Sequence, residues 1–352
     1  MTNPHFPLCI GIGTYRGGGG AGIATLCLGA DGSWRHGEAY AAAANAAFSV
    51  YAPRHRLHYI VDEAERGSVG VHRFADTGWE MLASVGVDGA APCHIALDPT
   101  ETRLAVANYA SGSVALLRLD PRTGLPAGPV QVHANRGSGP NAARQEAPHA
   151  HWVGFSPDGQ WLYQTDLGTD EILAFPIDAA GTLGAVQRAY RARPGSGPRH
   201  LLLHPRLGKR AYLIGELDNT LSVLDRSTGI FVHRETVSTL PPDWQGESIV
   251  AHVAINRASD RLYVSNRGHD SIAVFALDDG GAPTLLDHAV TGGAYPRFFA
   301  LLEDAGLMVV AHEKSQTVTT LAFGADGRLT PTGLSIAVAG AASVIIPEPA
   351  AL

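Results

Sequence analysis

Short apolar runs of strand length alternate along the chain with clusters of Gly, Asp, Asn, Pro and Ser. No segment repeats its apolar residues at i, i+3 and i+4 for long enough to form a helix. One phrase recurs seven times. Its first half is a run such as Pro92-Cys93-His94-Ile95-Ala96-Leu97-Asp98-Pro99, and its second is a β-rich pair such as residues 104–109 and 113–117. The other second halves fall at 57–63 with 68–74, 162–167 with 171–175, 211–217 with 220–224, 262–267 with 271–275, and 308–313 with 317–321; a partial copy lies at 12–15 with 22–26. A repeat of about fifty residues holding about four short strands predicts an all-β chain folded as a seven-bladed β-propeller.

The chain starts partway through a blade, so the C-terminal run Ser343-Val344-Ile345-Ile346 is expected to complete that blade. Pairing of the terminal segments would close the ring and remove the edges that an open array exposes. No single blade can bury its own apolar face, so residues 1–352 read as one domain despite their number. The 41 Gly and 22 Pro are spread along the chain, as turns between short strands require, with Asp31-Gly32, Asp158-Gly159 and Asp326-Gly327 placed for tight turns.

Charge and cysteine content narrow the function classes. A net charge of −7, without any Lys/Arg run, argues against a nucleic-acid or membrane-surface partner. Cys9, Cys27 and Cys93 are odd in number and lack C-x-x-C spacing, so neither a disulfide framework nor a zinc site is expected. The N-terminus lacks the charged and apolar regions of a signal peptide, and no run approaches the ~18 apolar residues of a membrane span. The expectation is a soluble cytoplasmic protein.

Aligned, the repeats bring chemistry into two registers. The first strand of each blade opens with Phe48-Ser49, Cys93-His94, Ala150-His151, Arg199-His200, Ala251-His252, Arg297-Phe298 and Ala342-Ser343. The next strand ends at Tyr15, Glu63, Tyr109, Leu167, Glu216, Arg267 and Glu313. In a propeller, matching registers gather around one axis, so these side chains are expected to share a polar pocket at the channel mouth. A single buried His is usually structural. Four of them with Arg199, Arg267, Arg297 and Glu216 suggest an anionic ligand, because a cation cluster with too few anions repels itself and loses hydration. Interleaved arginines disfavour a bound metal. There is no G-x-S-x-G; the Gly-Ser-Gly-Pro runs at 137–140 and 195–198 and the four glycines at 17–20 read as turns.

These residues carry a resemblance. Arg144-Gln145-Glu146-Ala147-Pro148-His149-Ala150-His151, then Ser156-Pro157-Asp158-Gly159 and Asp166-Leu167-Gly168-Thr169-Asp170, resemble the seven-bladed lactonase family. Bacterial cycloisomerase-type 6-phosphogluconolactonases typify that family, which includes the fungal carboxy-muconate lactonising enzymes. Gly195-Ser196-Gly197-Pro198-Arg199-His200, Glu216-Leu217 and Ser265-Asn266-Arg267-Gly268 extend the match, which runs in order from about 11 to 325. The resemblance implies a metal- and cofactor-independent lactone hydrolase, or the reverse lactonisation, with catalytic residues at His149 or His151, Arg199, Glu216 and Arg267. His94, Arg144, His200, His252, Arg297 and Glu313 are expected to bind a small anionic lactone or sugar acid. Departures from the family pattern at Ala251-His252, at His312-Glu313 and in the last strand, which lacks a Pro before its apolar run, lie near the channel and bear on substrate identity.

The residue set suits lactone opening: a base for water, cations for the oxyanion, and an acid for the leaving oxygen. Glu216 or a neutral His would take the water's proton, Arg199 and Arg267 would grip an anionic group, and His151 would return a proton. Three functions compete: hydrolysis of 6-phosphogluconolactone or a related aldono- or aldaro-lactone, cycloisomerisation of a dicarboxylic acid such as a muconate, and a non-catalytic interaction platform. The last would show Trp-Asp strand endings, which are lacking.

Overall fold

The computed structural model describes residues 8–29, 31–75 and 78–347; the N-terminal residues 1–7 lie outside it. Among the described residues the strands form seven four-stranded sheets arranged as the blades of a propeller. Blade one combines β1 (Leu8–Thr14), β2 (Ile23–Leu28) and β3 (Trp34–His36) with the last strand, β28 (Ala341–Ile345). As the sequence predicts, β28 pairs antiparallel with β1 and closes the ring. The first strands of blades two to seven are β4 (Ala46–Ala52), β8 (Pro92–Leu97), β12 (Ala150–Phe155), β16 (Pro198–Leu203), β20 (Ile249–Ile255) and β24 (Pro296–Leu302).

The strands read as continuous apolar runs because each blade is covered on both sides. Successive side chains point to opposite faces of a strand. Leu104 and Val106 therefore join a core shared with blade two, while Ala105 and Ala107 join one shared with blade four. The other interfaces repeat this, so a separate apolar cluster bridges each pair of neighbouring blades around the ring. Buried tyrosines also tie blades together. The hydroxyls of Tyr59, Tyr212 and Tyr263 donate to the carbonyls of Gly124, Gly281 and Gly327 in the next blade, at 2.6, 2.7 and 3.0 Å.

One expectation is corrected. Cys9 and Cys27 stand directly opposite each other on β1 and β2 and form a disulfide, leaving Cys93 as the free, buried thiol. Cysteine number and spacing do not reveal a cross-strand partner; hairpin register does, and the wide loop between these strands hides it.

Candidate active site

Strands alternate in direction within a blade, so the start of the first strand and the end of the second meet at one edge of the propeller. Both registers are built there by repeated backbone devices. The first is a residue with positive φ just before the first strand: Asn45, Ala91, Gly197, Tyr295 and Gly340, with φ of 43, 52, 62, 69 and 68°. Its carbonyl accepts the N–H of the residue just after the second strand, which pins Glu63, Tyr109, Glu216, Glu313 and Tyr15 in turn. Tyr295 is a bulky residue in a conformation usually left to Gly or Asn, so backbone strain is concentrated at this edge.

The second device is a β-bulge. All seven first strands shift register near their opening residues, between Ala46 and Ser49, Pro92 and His94, Ala150 and Trp152, Pro198 and Leu201, Val250 and Val253, Pro296 and Phe298, and opposite Gly13 and Thr14. A bulge breaks the in–out alternation and re-aims side chains. Consecutive residues such as Arg199 and His200 can thereby both serve the axis.

The inner layer is aromatic. Ring centroids of Phe48 and His94 lie 4.1 Å apart, His94 and His200 5.3 Å, His200 and His252 5.4 Å, His252 and Phe298 4.2 Å, and Phe298 and Phe48 5.5 Å, a closed circuit that His151 joins at 5.7 Å from His200. Burial, reinforced by Arg199, holds His252 down at about 3. The same burial holds His94, His151 and His200 well below the usual imidazole range. These imidazoles are neutral at pH 7. His94, His200 and His252 thus form an uncharged floor rather than part of the cation cluster that the aligned sequence suggests.

Above this floor the mouth divides in two. On the side of blades three to six, Glu216 is 1% exposed and receives Arg144 Nη2 at 2.5 Å, Arg199 Nε at 2.8 Å and Arg267 Nη2 at 2.9 Å, with His151 Nε2 at 3.6 Å. Burial alone would raise its pKa, but Arg267, Arg199, His151 and Arg144 hold the carboxyl far below the usual carboxylate range. Burial and Arg267 lower Arg199 to about 10, so it remains a cation. Arg199 Nη1 also donates to the Ala251 carbonyl, and Arg267 Nη2 to that of Val250 at 2.8 Å. Arg267 Nε is buried without a hydrogen-bond partner, and its guanidinium lies 5.2 Å from the Tyr295 ring. Three guanidiniums around one carboxylate leave two positive charges in excess. The anion missing from the aligned cations is thus partly supplied from within.

On the side of blades one, two and seven, Tyr15 Oη donates to Glu63 Oε2 at 2.5 Å, and Arg297 lies 3.8 Å from that oxygen and 3.2 Å from Glu313 Oε2. Burial raises Glu63, although Arg297 and the Tyr15 hydrogen bond oppose it. Tyr15 and Glu63 appear in the aligned register, yet without a blade-to-blade map nothing marks them as partners.

His149 and His151 separate clearly. His151 faces Glu216, with Nδ1 3.7 Å from Cys93 Sγ. The His149 ring instead stacks on Tyr109 with centroids 4.5 Å apart, and its Nε2 meets Glu146 at 3.2 Å. Among the described residues, no three His, Cys, Asp or Glu side chains converge as metal ligands would. No helix among them is long and apolar enough to cross a membrane.

Comparison with known proteins adds to this geometry. Residues 10–346 match the family described as "Lactonase, 7-bladed beta-propeller". A 6-phosphogluconolactonase of Bacillus subtilis is 30% identical over 337 residues, covering 92% of this chain and 95% of that protein. The structure of a periplasmic gluconolactonase of Pseudomonas aeruginosa superposes with a TM-score of 0.87 at 28% identity, over 96% of this chain and 98% of that one. A Lactobacillus plantarum protein of known structure superposes with a TM-score of 0.86 at 26% identity, over 97% and 99% of the two chains.

Proposed function

This chain belongs to the seven-bladed β-propeller lactonases, and from that premise we propose that it hydrolyses a sugar-acid lactone, 6-phosphogluconolactone or a related aldono- or aldaro-lactone, at the channel mouth without a metal. The observation that carries the reading is the excess of guanidinium over carboxylate around Glu216, beside a half of the mouth that offers carboxylates and a phenol to hydroxyl groups.

In this reading Arg199 and Arg267 hold the lactone carbonyl or an anionic substituent and stabilise the tetrahedral oxyanion, as preorganised charge does in a water-poor site. Arg144, whose side chain is 35% exposed, meets an incoming anion first. Glu216 is too strongly stabilised as a carboxylate to accept a proton readily, so its role is to fix the two buried arginines. His151, whose imidazolium the Glu216 carboxylate 3.6 Å away would stabilise against burial, takes a proton from the attacking water. His149 steadies Tyr109, and His94, His200 and His252 give the substrate a floor. Cycloisomerisation of a dicarboxylic acid is less well supported, since its second carboxylate would meet Glu63 and Glu313.

The test is an assay of purified protein on δ-gluconolactone, 6-phosphogluconolactone and muconolactone, with spontaneous hydrolysis subtracted and with and without chelator. Hydrolysis of a sugar-acid lactone, unchanged by chelation, is expected. Activity confined to muconolactone, or abolished by chelator and restored by metal, would overturn the reading. The proposal also places the enzyme in the cytoplasm; the Cys9–Cys27 disulfide fits an oxidising compartment instead. Thiol counting on protein from its own cells decides: three free thiols support the cytoplasm and one contradicts it.

A further inference from the structure

We propose that Glu63 is a second proton-transfer residue of the lactonase reaction, donating the proton that the ring oxygen needs as it leaves, with Tyr15 and Arg297 holding its carboxyl in position. The inference rests on the lactonase reading and extends it to the half of the mouth away from Glu216.

Three blades converge on this carboxyl. Glu63 follows the second strand of blade two (Leu57–Asp62), Tyr15 follows β1 in blade one, and Arg297 lies on β24 in blade seven. Tyr15 Oη at 2.5 Å and Arg297 Nη2 at 3.8 Å both address Oε2. A proton carried by the carboxyl therefore belongs on Oε1, the oxygen these partners leave for a substrate. Arg297 is restrained in turn by Glu313 at 3.2 Å and by the Tyr15 ring, 5.2 Å from its guanidinium. The Glu63 side chain is 18% exposed, so it is braced yet reachable from the mouth. The groups facing it are Tyr15, Arg297, Arg199 and Glu313; burial and Glu313 favour the protonated carboxyl, the two arginines and the phenol oppose it, and burial prevails. Glu216, at the matching register, has three cations within 3 Å and cannot play this part.

The chemistry balances with water as the only co-reactant. A water oxygen bonds to the lactone carbonyl carbon while its proton passes to His151. The tetrahedral oxyanion then collapses, the bond from carbon to ring oxygen breaks, and that oxygen takes its electron pair and the Glu63 proton to become a hydroxyl. The new carboxylic acid ionises, restoring one proton to Glu63, and His151 releases the other to solvent.

The experiment compares wild-type full-length protein with Glu63→Gln on δ-gluconolactone between pH 5 and 8, above the spontaneous rate. Wild-type kcat/KM should fall as pH rises through the Glu63 pKa. Glu63→Gln should lower kcat roughly a hundredfold with KM within about threefold, and should flatten that alkaline limb. Formate should restore part of the rate to Glu63→Ala as its concentration rises, which a purely structural role would not produce. If Glu63→Gln does not fold, Tyr15→Phe, which keeps the ring, should lose about tenfold in kcat and shift the same limb. A kcat for Glu63→Gln within threefold of wild type, or an equal loss at every pH without rescue by formate, overturns the proposal and leaves the lactonase reading standing. A wild type inactive on both δ-gluconolactone and 6-phosphogluconolactone overturns the lactonase reading itself.

Discussion

The two halves of the channel mouth each present a glutamate at the same repeat register, and the neighbours give the two opposite properties. Glu216 sits among three guanidiniums and is held as a carboxylate. Glu63 meets one guanidinium at 3.8 Å and a phenol, and burial pushes it toward its protonated form. Residue type and backbone position are therefore insufficient to assign a role here. The partners contributed by adjacent blades decide which glutamate anchors cations and which can exchange a proton.

The sharpest way to break this comparison is to make the same substitution on both sides. Glu216→Gln leaves Arg144, Arg199 and Arg267 without their common anion, and loss of one partner from a buried ionic cluster costs about 3–5 kcal/mol. Glu63→Gln keeps the side-chain shape where only one guanidinium, at 3.8 Å, faces the carboxyl, and should cost less, about 1 kcal/mol. Denaturant unfolding of the two variants checks this; equal losses would erase the distinction between the halves.

Next in size is the grip of the cation-rich half. Lys cannot reproduce the planar fork of Arg199, so Arg199→Lys should lower kcat/KM roughly ten- to a hundredfold, the scale of a lost charge-assisted contact of about 1.5–3 kcal/mol. Steady-state kinetics should show part of this loss as a raised KM.

The floor shared by both halves gives a pH signature. The unfolded chain protonates its histidines near the ordinary value of about 6.5, whereas the folded chain keeps His94, His151, His200 and His252 neutral. The unfolded state thus binds more protons between these limits, and stability rises with pH. It should be fully present above pH about 6.5 and fall as pH drops toward about 3, the value for His252, by up to about 1.4 kcal/mol per pH unit for each titrating histidine. Denaturant unfolding at stepped pH, with His252→Phe as the control that removes one term, measures the slope.

The smallest effect is expected at Arg297. Glu63 and Glu313 already engage it, so Arg297→Lys should change KM by less than about threefold. A rise as large as that for Arg199→Lys would mean that the substrate carries a second anionic group toward the acidic half.

Much of this architecture is legible in the chain. Seven aligned repeats announce the blades, the terminal run from Ser343 predicts the closing strand, and the two registers name nearly every side chain at the mouth. What stays hidden depends on contacts between repeats. His94, His200 and His252 look like cations in the sequence, and their burial at the axis, beside Arg199, keeps them neutral. Glu216 and Glu63 look equivalent until Arg144 arrives from a loop before blade four and Tyr15 from blade one. Cys9 and Cys27 look unpaired until hairpin register sets them face to face.

The most direct test of the account is a crystal structure of the protein with gluconate, the hydroxy acid left when δ-gluconolactone opens. The account predicts the carboxylate against Arg199 and Arg267, with the chain of hydroxyls running toward Glu63, Tyr15 and Glu313. Gluconate bound instead in the cleft of about 560 Å³ at the opposite edge of the propeller, beside Trp161, Lys209 and Arg226, with the channel mouth unchanged, would contradict it.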